Sequence, residues 1–94
     1  TSSLDVKYTL QIFNLARRLV SEEGRTIIAV IHNLNLAAAY CDDLIFMKDG
    51  RLRQYGPTTT TMTAATIAEV FDVRAQVAID PYNQIHQVSF QYFK

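Results

Sequence analysis

Apolar residues Val6, Leu10, Phe13, Ala16 and Val20 recur at helical spacing, with Ile12, Leu15 and Leu19 widening the stripe. The pattern predicts an amphipathic helix over residues 4–23. Ser2 or Ser3 is placed to cap it, Asp5 stands three after Ser2 in the capping-box relation, and Gly24 supplies the stop. Thr26-Ile27-Ile28-Ala29-Val30-Ile31 then runs without alternation, as a central parallel strand covered on both faces does. A short helix through residues 36–40 follows, entered through Asn33 or Asn35. Asp49-Gly50 between the β-type runs 44–48 and 51–55 predicts a tight hairpin, closed by Gly56-Pro57. The threonines at 58–61 have no period and read as a loop. Thr61 or Thr63 caps a helix carrying Ile67, Val70 and Phe71 on one side. Val73, Ala75, Val77 and Ile79 alternate with mostly polar partners, as do Val88, Phe90 and Tyr92 beyond the turn Asp80-Pro81-Tyr82-Asn83. They predict a second hairpin with one wet face.

Composition narrows the class. The chain has 94 residues, 49% hydrophobic, with nine basic and nine acidic side chains, so one modest core and a single domain at most are expected. Zero formal charge supplies no cationic field for nucleic acid or an anionic bilayer. The lone Cys41 excludes an internal disulfide and suits a reducing compartment. No apolar run approaches the roughly 18 residues of a membrane span. The chain begins with Thr rather than Met, which leaves room for an upstream beginning.

His32 is the principal candidate for chemistry because it follows the apolar run directly. In open α/β sheets ligands sit beyond the carboxyl ends of strands, where an imidazole can donate to a phosphate or accept from water. The alternative is a histidine that only bonds a neighbouring backbone carbonyl. Cys41, Asp42, Asp43 and His32 show no recognised metal-ligand spacing, and Cys41 reads as a small buried hydrophobe. His86 reads as solvated on the polar side of its strand, and Arg17 and Arg18 as the wet face of the first helix. Tyr82, Tyr92 and Phe93 are either an interaction surface or core.

Taken together, the opening Ser2-Ser3-Leu4-Asp5, the run 26–31 ending in His32, Leu34-Asn35-Leu36-Ala37, and Asp42-Asp43-Leu44-Ile45-Phe46-Met47-Lys48-Asp49-Gly50-Arg51 resemble the C-terminal part of an ABC transporter ATPase subunit. The likeness covers residues 1 to 80. The order and spacing of D-loop, switch histidine and aspartate-glycine hairpin make it more specific than any one of them. Residues 34–40 and Glu69-Val70-Phe71-Asp72-Val73 are most similar to importers of iron chelates, haem and cobalamin.

The resemblance implies an α/β fold: the C-terminal portion of a RecA-like P-loop NTPase domain, with a parallel core strand, flanking helices and β-hairpins. It makes His32 the switch histidine that contacts the γ-phosphate of ATP and the attacking water, and places Ser3 and Asp5 on the D-loop at the interface of two ATPase subunits. Where the family commonly has Asp after that histidine, this chain has Asn33, which puts an acidic role there in doubt. Nowhere does the chain contain GxxxxGK[ST], so it lacks a phosphate cradle; the Walker B acidic strand end and the family's signature sequence are expected upstream. Alone it is expected to be inactive. Within the intact protein the implied activity is ATP hydrolysis with Mg²⁺ coupled to solute uptake. The implied partners are a second copy in a homodimer, a transmembrane permease and, indirectly, a substrate-binding protein, with no nucleic acid, at the cytoplasmic face of the plasma membrane. The competing class is a stand-alone, non-catalytic binding or dimerisation module. Under either, the two-sided apolar run predicts that the isolated chain covers that surface by self-association, by exchange of elements or by a rearranged packing, with self-association the leading expectation.

Overall fold

The apolar period at the start of the chain folds as α1 (Ser3–Glu23) in a computed structural model that describes residues 3–93. Asp5 occupies its first turn, where the positive end of the helix dipole favours a carboxylate. The cap expected from Ser2 lies outside the described residues. Gly24 takes a left-handed φ of 66°, and the Arg25 N–H donates to the Leu19 carbonyl at 3.2 Å, so the helix stops where its glycine predicts. Packing divides the chain into two units at the Val30–Ile31 junction.

In the first unit Phe13, Ala16, Leu19 and Val20 are half-buried, whereas Val6 and Ile12 stay 58% and 66% exposed. The run at 26–31 joins no ladder among the described residues. Ile28 is 91% and Val30 86% exposed. The expected parallel strand is therefore unpaired here. A strand needs a hydrogen-bonding neighbour, and both described ladders are antiparallel hairpins formed by later segments.

The second unit contains α2 (Leu34–Tyr40), β1 (Asp43–Lys48), β2 (Arg51–Pro57), α3 (Thr58–Thr61), α4 (Ala64–Phe71), β3 (Ala75–Ile79) and β4 (His86–Phe90). β1 and β2 pair through Asp49 and Gly50, whose φ values of 52° and 74° suit a two-residue primed turn. Leu44 and Phe46 face the core while Ile45 and Met47 are exposed, the alternation of a half-buried strand.

The threonine segment folds as one helical turn instead of the expected loop. The Thr61 hydroxyl donates to the Pro57 carbonyl at 2.9 Å and the Thr58 hydroxyl to the Cys41 carbonyl. With their hydroxyls satisfied, Thr58 and Thr61 can be buried. Of the two candidate caps for α4, Thr63 is the one used, accepting from the Thr66 N–H at 3.1 Å. At its other end, Lys48 Nζ donates to the Glu69 carbonyl at 2.9 Å and meets Asp72 at 3.3 Å, a cation where the dipole favours one.

Ala37, Leu44, Phe46, Met62, Ile67, Val70 and Val88 form the core. Phe71 closes one side edge-on against Phe46, at 6.3 Å between ring centroids. The second hairpin is shorter than its alternation predicts: Val73 precedes β3 and Tyr92 follows β4. His86 needs a correction. It lies two residues before Val88 and so shares that residue's face, and it is half-buried, not solvated on the polar side.

Ile67 is fully buried, so Ile67→Ala removes packing that cannot be regained. Urea unfolding of the chain should show a loss of about 2–5 kcal/mol.

Candidate functional site

His32 is exposed and sits between half-buried Ile31, which packs against the core, and Asn33, the cap of α2. Asn33 has an extended backbone (φ −95°, ψ 111°). Its Oδ1 accepts from the Asn35 and Leu36 N–H groups at 2.9 and 3.1 Å, an N-cap that settles the choice between the two asparagines. The cap takes up two of the N–H donors at the start of α2, and His32 is the ionisable residue among positions 31–36.

Asn35 has a different task. Its Oδ1 accepts from the Val88 N–H at 2.7 Å and its Nδ2 donates to the Val88 carbonyl at 3.2 Å. Val88 pairs with Val77 in the β3–β4 register. In an antiparallel pair the N–H and C=O of one residue project to the same side, so Asn35 serves the edge of β4 as a one-residue strand. Ala37, 6% exposed, fixes the middle of α2 in the core.

His32, Asn33, Leu34 and Asn35 line a depression of about 330 Å³ together with Phe71, Val73 and Phe90. None of the lining residues is a carboxylate, lysine or arginine. The His32 imidazole can donate to an anionic oxygen through one ring nitrogen and accept from water through the other.

Ser3 opens α1 and Asp5 lies exposed in its first turn; both belong to the first unit. Cys41 is half-buried at the end of α2. Among the described residues no group of three or more His, Cys, Asp or Glu side chains could hold a metal ion, and no helix is long and apolar enough to cross a membrane. Of the sequence candidates, His32 and Asn33 are brought together at one turn. The residue that sequence reasoning missed is Asn35: spacing made it a possible cap, and no local signal points to a strand edge 53 positions away.

No protein-family model matches the chain. It is 41% identical over 81 residues to the cobalamin import ATP-binding protein BtuD of Halobacterium salinarum, covering 86% of this chain and 20% of that protein. To the petrobactin import ATP-binding protein FatE of Bacillus anthracis it is 34% identical, covering 89% of this chain and 34% of the relative. With the hemin import ATP-binding protein HmuV of Rhizobium meliloti it shares 37% identity over 89% of this chain and 32% of the relative. Its fold matches a solved structure described as a metal-chelate type ABC transporter in an inward-facing conformation, with a TM-score of 0.72 at 15% identity over 85% of this chain and 32% of that one. The homologues that cover this chain are ATP-binding subunits of ABC importers, and the chain spans about a fifth to a third of the length of the curated relatives it matches.

Because Asn33 contributes an acceptor oxygen to the α2 cap, Asn33→Asp should keep the unfolding free energy of the chain. Asn33→Ala should lower it by about 1 kcal/mol in denaturant titrations.

Proposed function

We propose that this chain is the part of an ABC importer's ATP-binding subunit that carries the switch histidine, and that the intact subunit couples ATP hydrolysis to uptake of an iron chelate, haem or cobalamin. One observation carries the reading: the His32 ring stands exposed where the apolar run meets the capped start of α2. The solute class is supported by relatives named for import of cobalamin, petrobactin and hemin.

The residues present fit one contact to a nucleotide rather than a whole site. An exposed imidazole beside a depression free of carboxylates suits an anionic oxygen, whereas the described residues assemble no metal-ligand group and the sequence has no P-loop. When bound by the intact subunit, Mg·ATP supplies the phosphoryl group and the metal charge that offsets it. His32 donates to a γ-phosphate oxygen and orients the attacking water. Phosphoryl transfer depends mainly on such positioning and charge stabilisation.

Ser3 and Asp5 at the start of α1 take the D-loop role toward a second copy of the subunit. The dimer docks beneath a membrane permease at the cytoplasmic face, with a substrate-binding protein on the far side. By itself the chain is inactive, and it self-associates through the apolar run, where Ile28 and Val30 are almost fully exposed.

In the complete subunit, His32→Ala should lower ATP turnover by about 10²–10³-fold while nucleotide affinity stays near the parental value, read by steady-state hydrolysis and equilibrium binding. Parental turnover in that variant would remove the switch assignment. Sedimentation of the 94-residue chain should show concentration-dependent oligomers. Ile28→Ser with Val30→Ser should shift it toward monomer, and a wild-type chain that stays monomeric at high concentration would contradict self-association.

A further inference from the structure

Resting on the reading of His32 above, we propose that Asn35 is its positioning residue: the side-chain amide pins the His32 turn to the edge of β4, making the β3–β4 hairpin the support of the phosphate-sensing group. A carboxamide carries the donor and acceptor of a peptide unit, and Asn35 uses both on a single residue, accepting from the Val88 N–H at 2.7 Å and donating to the Val88 carbonyl at 3.2 Å. Val88 is 2% exposed, so water is poorly placed to replace either bond.

Position is transmitted over a short path. Two residues separate Asn35 from His32, and one of them, Asn33, is locked by its own cap bonds to Asn35 and Leu36. The same hairpin region walls the depression beside the ring through Val73 and Phe90. The chemistry also selects the residue type. Aspartate keeps the acceptor and the size but loses the donor, and sets a carboxylate oxygen against the Val88 carbonyl. Glutamine keeps both groups but reaches one methylene further. Alanine removes both bonds.

The test uses the complete ATP-binding subunit with Asn35→Ala, Asn35→Asp, His32→Ala and the Asn35→Ala/His32→Ala pair. In nucleotide-free protein, both Asn35 variants should shift the His32 ring resonances, identified by their loss in His32→Ala. At saturating Mg·ATP they should lower kcat about 10- to 100-fold, the effect of misplacing a catalytic group by about 1 Å, with nucleotide affinity unchanged. The double variant should turn over no more slowly than His32→Ala alone, since a residue acting through the histidine has nothing left to position. Unmoved ring resonances with parental kcat, or a double variant slower than His32→Ala, would overturn the assignment. If Asn35→Ala does not fold, as read by circular dichroism, Asn35→Asp carries the same test. Should His32→Ala retain parental turnover, the switch reading fails and the nucleotide-free resonances alone decide whether Asn35 fixes the turn.

Discussion

A seven-residue helix is far too short to persist in water on its own, and the candidate site depends on the interactions that hold α2 in place. Asn33 satisfies donors at its start, Ala37 buries its middle, and Asn35 ties its first turn to β4. Each is weak alone, worth on the order of 1 kcal/mol. They act on one rigid turn from different directions, and His32 inherits its place from them. The core behind α2 is built around Met62 and Ile67, the most deeply buried large side chains. The helix is thus fastened to packing that comes from residues far along the chain.

Features that rest on local chemistry could be read from the sequence. α1 follows its apolar period and stops at Gly24; the first hairpin follows Asp49-Gly50 because both residues tolerate positive φ; α4 begins one residue after a threonine cap. The resemblance to ABC ATPase subunits was legible for a related reason, since the Ser2-Ser3-Leu4-Asp5 segment, His32 and the Asp49-Gly50 hairpin follow one another along one stretch of chain. What escaped depended on partners outside the local window. The threonines of α3 become helical and buried because the Pro57 and Cys41 carbonyls accept from their hydroxyls. His86 is the exception, an error of parity: it stands two before Val88, and the alternation itself puts both on one face. Asn33 and Asn35 are the same residue type two positions apart, and only the proximity of β4 gives them different work.

The two units differ in how they meet the cost of ordering the chain. From Ile31 onward, two hairpins pair their own strands and close a core against two helices. Before Val30, a long amphipathic helix leads into an apolar run that gains no ladder hydrogen bonds among the described residues. Ordering such a segment costs roughly 1–2 kcal/mol of backbone entropy per residue, which an exposed run without ladder partners does little to offset. The run is apolar on both faces because strands of that composition belong between neighbours.

That contrast bears on how His32 is held in place. A group that must respond to one oxygen needs a position held to a fraction of an ångström. Had His32 depended only on the run before it, its place would vary with whatever strands come to lie alongside. By capping α2 immediately after the histidine and fastening that helix to β4, the chain references His32 to its own folded unit.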